Sequence, residues 1–194
     1  CLEGILLISA FAAAAMDAVT LNPFISVLVS LLAGAAFMLL HVFLTQKAKA
    51  DHIISGLVIN ILAAGLPPLL SQIWFGSSTN TPSLPSHARI SEDFFIVFSC
   101  LLPLGIYFFL YRTSFGLRLR SAGDGPEALK TTGVSVTRTR TCALLLGGVL
   151  ISFGGSYLSI AHSSQFLRDM TAGNGFIALA AVIFGRWRPL SGFA

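Results

Sequence analysis

Charge is what this sequence has least of: 10% of its 194 residues are Asp, Glu, Lys or Arg, against 55% hydrophobic. So small a charged share does not suit a water-soluble chain. Cysteine is scarce as well. Cys1, Cys100 and Cys142 lie in or beside apolar runs at unrelated spacings, so they suggest neither a disulfide framework nor a thiolate metal site. The four histidines are scattered and form no zinc constellation. There is no G-x-x-x-x-G-K-[ST] loop, so the chain does not itself bind ATP through a Walker A fold; the stretch GDGPEALKT follows no soluble strand and lacks the spacing. The absence of HExxH and of a nucleophile elbow removes the common hydrolases. No periodic array of intramembrane acids or cations is present, as a proton relay or voltage sensor would need.

What the sequence does have is apolar length. Mean hydropathy is +0.82, and runs long enough to span a bilayer occur at 24 to 44, 53 to 74, 94 to 111 and 141 to 161, with shorter ones at 2 to 16 and 176 to 185. The fold class that follows is all-α, a polytopic transmembrane bundle. The chain opens on Cys1 without an initiator Met, a basic n-region or a cleavage site. It therefore reads as a single membrane domain, 1 to 194, excerpted from a longer protein and lacking helices at both ends. A pI near 9.3 would invite nucleic acid in a soluble protein; here the basic residues flank spans, and topology accounts for them.

The one long polar interruption is Arg112 to Arg140, with six basic residues (Arg112, Arg118, Arg120, Lys130, Arg138, Arg140) against Asp124 and Glu127. Placing it inside together with Lys47, Lys49, Arg186 and Arg188 puts ten of the twelve Lys and Arg on one side and leaves Arg89 and Arg168 outside, so the positive-inside rule fixes the orientation. Within this loop a short helix is predicted over 126 to 132. Gly125 serves as N-cap, Pro126 fits the first helical position, Glu127 suits the positive dipole end and Gly133 closes it. A rod of about 10 Å does not hold together alone in water. Either it docks on a surface through Ala128, Leu129 and Thr132, or it is one helical turn of a solvated loop.

Polar residues inside the runs are candidates for function. Glu3 either faces a cavity or sits at a helix end among headgroups. Asn60 falls on one face with Gly56 and Ala64, directed toward the bundle; it either lines a translocation path or makes an interhelical hydrogen bond. Small residues at Ser26, Ser30 and Gly34, and the pairs Gly147–Gly148 and Gly154–Gly155, predict close helix packing. His41 reads as an interfacial polar residue, and Asp17, Asn22 and Pro23 as a short turn. Pro67 and Pro68 break or kink their run. Residues 76 to 91 read as an exposed loop carrying His87 and Arg89. The run 176 to 185 is too short to span: it is a half-helix entering the membrane or a normal span cut short by Arg186, Trp187 and Arg188.

The stretch YRTSFGLRLRSAGDGPEALKTTGVSVTRTR, then LLLGGVLISFGGSYLSI and MTAGNGFIALAAVIFGRWRPL, resembles the membrane permease of bacterial ATP-binding cassette importers, in the branch for nucleosides and simple sugars related to ribose and branched-chain amino acid permeases. LEGILLISAFAAA and ADHIISGLVINILAAGL resemble the same branch. The resemblance implies that 112 to 140 is a cytoplasmic coupling loop whose helix, at Gly123, Asp124, Pro126, Glu127, Ala128, Leu129, Thr132 and Gly133, docks into a cytoplasmic ATPase subunit. It implies that the runs beginning at Leu2 and Gly175 lie near the substrate path. Departures are Asp124 and Gly125 in place of a usual Glu-Asn pair, and Asn174 in place of a commonly basic residue.

The expected protein is thus a multi-pass, non-enzymatic transport subunit of the bacterial cytoplasmic membrane. Its partners would be ATPase subunits, a second permease subunit, an extracytoplasmic substrate-binding lipoprotein and membrane lipid, with no nucleic acid. The chain itself would hold no cofactor, ATP and Mg being bound by the partner. Glu3, Asn60 and Phe176 are the candidates for the substrate path; a nucleobase could stack on Phe176 or Trp74, though with 16 Phe in the chain any one ring is ordinarily core or lipid-facing. The rival readings are an ion-coupled secondary transporter, for which Glu3 alone is offered as an intramembrane acid, a non-transporting membrane scaffold, and a permease of the same family for sugars or branched-chain amino acids.

Overall fold

The computed structural model describes residues 1–77, 80–82 and 92–193, without the side chains of Ala128 and Phe193. His87 and Arg89 lie outside the described residues. Among those described, the chain forms helices and no strand, with a single antiparallel bridge between Asn80 and Leu167. The helices are α1 (Leu2–Thr20), α2 (Pro23–Val42), α3 (His52–Phe75), α4 (Glu92–Arg112), α5 (Ser114–Asp124), α6 (Pro126–Thr131), α7 (Val136–Ser156), α8 (Asn174–Phe184) and α9 (Pro189–Phe193). α2 and α7 each end in a π-helical turn, at Phe43–Lys47 and Tyr157–His162. Five helices are long and apolar enough to cross a membrane.

α1 is the centre. It is 61% buried over its apolar stretch, whereas α4 is 6% buried, and α2, α3, α7 and α8 all pack against it. The sequence reason is its run of Ala and Ser: with little side-chain volume, neighbours close in on all sides, and Ile5, Ala10, Ala13 and Ala14 have no exposed surface. Phe11 provides the bulk, edge-on to Phe166 (centroids 5.2 Å apart) and stacked on Trp74 (6.2 Å). Trp74 is otherwise 60% exposed.

The small-residue stripes behave as expected. Ser26, Ser30, Gly34 and Met38 form the buried face of α2. The Ser30 hydroxyl donates a bifurcated bond to the carbonyls of Ser9 (2.9 Å) and Ser152 (3.1 Å), joining three helices. Of each glycine pair the second member makes the close contact: a Cβ on Gly148 would meet Met38 Cβ at 2.7 Å, and one on Gly155 would meet the Leu6 carbonyl at 2.6 Å, whereas Gly147 faces open space.

Four expectations need correction. Asp17 is not in a turn; it lies inside α1, fully buried, accepting from Ser26 Oγ at 3.1 Å, and the connection is reduced to Leu21 and Asn22. Its partner is nine residues away on the next helix, which local turn chemistry does not show. His41, in the last turn of α2, is not an exposed polar residue there but is buried, with Nδ1 3.0 Å from Ser55 Oγ on α3. Thr81, in the stretch read as exposed, is buried: its N–H donates to the Phe166 carbonyl (3.1 Å) and its hydroxyl accepts from the Phe166 N–H (2.9 Å). The basic interruption contains a second helix, α5. Thr113 caps it by accepting from Gly116 N–H at 3.1 Å while donating to Phe109 O at 2.6 Å. A side chain on Gly116 would strike the Phe109 and Leu110 carbonyls, so the elbow between α4 and α5 requires glycine there.

Candidate functional site

Two places in the bundle gather the residues singled out from the sequence. The first is where α1, α3 and α8 meet. Asn60 stands eight residues into a 24-residue α3, roughly 12 Å along a helix of roughly 36 Å. Its Oδ1 accepts the Gly4 N–H at 2.9 Å, a side-chain hydrogen bond that joins α3 to α1. Gly4 is small because it must be: a Cβ there would lie 2.9 Å from Asn60 Cα. The interhelical reading of Asn60 is the one the geometry shows.

One residue earlier, Glu3 repeats the device on the other side. Its Oε1 accepts the Gly173 N–H at 3.0 Å and its Oε2 the Gly175 N–H at 2.6 Å. These amides open α8, where the positive end of the helix dipole meets the carboxylate. Gly175 is the one buried residue of α8, and a side chain on it would collide with the Glu3 carboxylate and with Glu3 Cα. Glu3 thus neither faces an empty cavity nor lies free among headgroups; it joins α1 to the start of α8. Charge-assisted bonds of this kind are worth on the order of 1.5–3 kcal/mol each.

α8 therefore begins beside the first turn of α1. Its 11 residues make a rod of roughly 16 Å, shorter than a helix that spans a bilayer. Residues 163 to 173, bonded to the protein through Phe166 and Gly173, lead down to it. Phe176 does not turn into this cluster; it is exposed on the outside of α8. Asn60→Leu is expected to leave the Gly4 N–H without its acceptor and to cost about 1–3 kcal/mol, read as a lower thermal midpoint of the detergent-solubilised protein; an unchanged midpoint would mean the bond carries no stability.

The second place is the basic end. Here α6 forms where the caps predicted, ending at Thr131, with Gly133 at φ 76°. Leu129 is 5% exposed, turned in where α6 lies against α5 and α7. That corrects the expected face: Leu129 anchors α6 to its own bundle and is not free to dock. Exposed are Gly123, Asp124, Glu127, Lys130, Thr132 and Gly133, with Pro126 half-buried; the Ala128 side chain lies outside the described residues. Lys130 Nζ is 2.7 Å from Glu127 Oε1. Arg140, on α7, donates to the Ala122 carbonyl at the end of α5 (3.1 Å), and Arg120 lies over the Tyr111 ring. Two arginines read from the sequence as topological charge therefore also brace the shelf.

A groove of about 550 Å³ between α4 and α7, lined by Phe95, Phe98, Pro103, Leu150, Phe153 and Tyr157, includes neither Glu3 nor Asn60. Its apolar lining suits the hydrocarbon side of a membrane helix pair. No group of three or more His, Cys, Asp or Glu that could hold a metal occurs among the described residues.

Five helices long and apolar enough to span, the small-residue helix at their centre, the short apolar α8 tied to it through Glu3 and a braced shelf at the basic end make up a multi-pass membrane bundle. The chain belongs to the family described as branched-chain amino acid transport system / permease component, which matches residues 2–194. It is similar to the nucleoside ABC transporter permease protein NupC of Lactococcus lactis subsp. cremoris, 36% identical over 97% of this chain and 67% of that protein. It is likewise similar to the guanosine ABC transporter permease protein NupQ of Bacillus subtilis (30% identical, 97% of this chain, 66% of that protein). A third relative is the putative glucose ABC transporter permease protein TsgC13 of Haloferax volcanii (33%, 96% and 61%). The chain spans about two thirds of the length of these relatives. No solved structure matches it.

Proposed function

We propose that this chain forms the membrane-spanning core of a nucleoside importer in the bacterial cytoplasmic membrane, driven by partner ATPase subunits. In that reading a second permease subunit completes the pathway and an extracytoplasmic binding protein delivers the cargo. The chain performs no chemistry; ATP and Mg belong to the partner.

The observation that carries the reading is the shelf at the basic end. α6 is held by Leu129 but presents Glu127 and Lys130 to solvent, beside the exposed Asp124 that ends α5, which is what a lever docked on another subunit needs. A push on α6 reaches α7 through the short connection from Thr132 to Ser135, and reaches α5 through their packing and the Arg140–Ala122 bond. The capped elbow at Thr113 and Gly116 passes it to α4. Rigid-body movement of these helices against the α1 core would alternate access between the two faces.

Nucleosides are favoured over other cargo because two of the similar permeases are named for a nucleoside and for guanosine. Simple sugars are the second reading, supported by the relative named for glucose. The deciding measurement is uptake of radiolabelled guanosine, uridine, ribose, glucose and leucine by cells carrying the full transport operon. Nucleoside uptake that disappears on deletion of this chain is the expected result. Uptake of a sugar alone would move the assignment to the second reading, and uptake that follows an ion gradient without ATP would reject the importer.

A further inference from the structure

We propose that Asp17 is held in this bundle as a neutral carboxylic acid that donates its hydrogen to Ser26, the proton being a fixed part of the fold. The inference does not depend on the transport reading. Asp17 has no exposed surface. Its Oδ2, with under 1 Å² accessible, meets no hydrogen-bond partner among the described residues. Because this chain already encloses that oxygen, neither a further segment nor another subunit reaches it with a cation. The other oxygen, Oδ1, has Ser26 Oγ at 3.1 Å.

Ser26 supplies the second observation. Its Oγ also lies 3.0 Å from the carbonyl of Asn22, the N-cap of α2. A hydroxyl has one hydrogen to give and accepts through its lone pairs, and heavy-atom distances do not say which partner of a bond carries the hydrogen. If Ser26 gives its hydrogen to Asn22, the hydrogen in the contact with Asp17 comes from Asp17. Each group is then accounted for: Asp17 donates to Ser26, Ser26 donates to Asn22, and the remaining carboxyl oxygen is an uncharged carbonyl. With Asp17 ionised, a single shared hydroxyl hydrogen would face a full enclosed charge, and a buried carboxylate so poorly matched takes up a proton instead.

No nearby charge changes that balance. Of the elements packed against α1, α2 carries no charged residue from Pro23 to Leu40, α3 none from Ile53 to Phe75, α7 none from Thr141 to Ser156, and α8 none at all. The titratable groups of these helices, His41, His52, Cys142 and the α7 arginines, belong to the basic end. The π-helical turn after α7 brings Tyr157 and His162, the latter 3.7 Å from Glu92. In the connection to α8, Arg168 and Asp169 face one another at 3.8 Å. None of these groups bonds to Asp17 among the described residues, and Glu3 lies at the opposite end of α1. Enclosed in this way, the proton is cut off from both sides of the membrane while the bundle is closed. Asp17 is thus a clamp between α1 and α2 and not a coupling site for an ion-driven cycle.

The test is infrared difference spectroscopy on the full-length permease with its partner subunits in an ester-free detergent. Parent and Asp17→Asn are compared at about pH 7, roughly three units above the range of an ordinary aspartate. A carboxylic-acid C=O band present in the parent and missing from Asp17→Asn is the expected result. In Ser26→Ala the band should persist at higher frequency, because the acid hydrogen has lost its acceptor. In heavy water it should hold its position after the amide bands of exposed loops have shifted, as an enclosed proton does. A carboxylate band in place of the acid band would overturn the proposal. An acid band that Ser26→Ala leaves unmoved would overturn the donation to Ser26, and exchange as fast as that of the loops would overturn the fixed proton. If Asp17→Asn is not recovered, parent and Ser26→Ala are compared instead, and the absence of a displaced acid band there has the same force as a carboxylate band.

Discussion

Gly155→Val should abolish assembly of the bundle. At this position the backbone of α7 touches the backbone of α1: a Cβ would lie 2.6 Å from the Leu6 carbonyl and 2.9 Å from the Ala10 nitrogen, and would collide with Ser9 Oγ. Two of those three atoms are main chain, so no rotamer change relieves the clash. The helices must separate, and α1 is the helix against which α2, α3, α7 and α8 all pack. Overpacking a core by a methyl or two ordinarily costs about 1–3 kcal/mol; separating α1 from α7 also stretches the Ser30 hydroxyl away from Ser9 and Ser152. The protein recovered from membranes as a monodisperse peak on size exclusion should fall by at least about tenfold, a loss of 1.4 kcal/mol or more. Gly147→Val is the control, because that glycine faces open space, and it should be recovered at the level of the parent. Equal recovery of the two variants would mean that the α1–α7 contact is not what holds the bundle.

Reversing the charge at Glu127 should separate folding from function. The Glu127 side chain is 83% exposed and its partner Lys130 60% exposed, and a solvated pair of this kind contributes at most about 1 kcal/mol. Glu127→Arg should therefore reach the membrane at the parent level. It nevertheless places a cation on the solvent face of α6, where the proposed ATPase subunit docks, and like charges against a matched surface cost several kcal/mol of association. Cargo uptake should fall at least about tenfold, and ATP hydrolysis by the reconstituted complex should lose its dependence on loaded binding protein. Leu129→Asp is the instructive contrast: it buries a charge where α6 meets α5 and α7, so protein level and uptake should fall together. Normal uptake by Glu127→Arg would remove α6 as the coupling element.

Much of this was written locally. Four of the five candidate spans followed from the lengths of apolar runs, whereas α1 read as a shorter run at 2 to 16; α6 followed from Gly125, Pro126 and Gly133, because end signals act within a turn of the residues that make them. The small-residue stripes predicted the faces on which α2 and α7 pack. α5 was within reach as well: Thr113 three residues before Gly116 is a capping spacing, obscured by the density of arginines around it.

What the sequence could not decide is which polar group meets which. Glu3 and Gly175 are 172 residues apart, and Asn60 and Gly4 are 56 apart; periodicity can place Asn60 toward the bundle but cannot name the amide it caps. Asp17 and Ser26 likewise find each other only because α1 and α2 close into a hairpin over Leu21 and Asn22. Leu129, apolar on a short exposed-looking helix, was equally consistent with facing a partner or its own chain. Only the placement of α5 and α7 beneath it chose, since burial belongs to the assembled neighbours of a residue and not to its own chemistry. The amino-acid order by itself determined a multi-pass helical membrane protein with one long basic loop, both set by local hydropathy and charge; a coupling role for that loop is what the family resemblance implies. The tertiary structure decided that α1 is the centre and that Glu3 joins it to the start of α8, because each depends on groups brought together from distant parts of the chain.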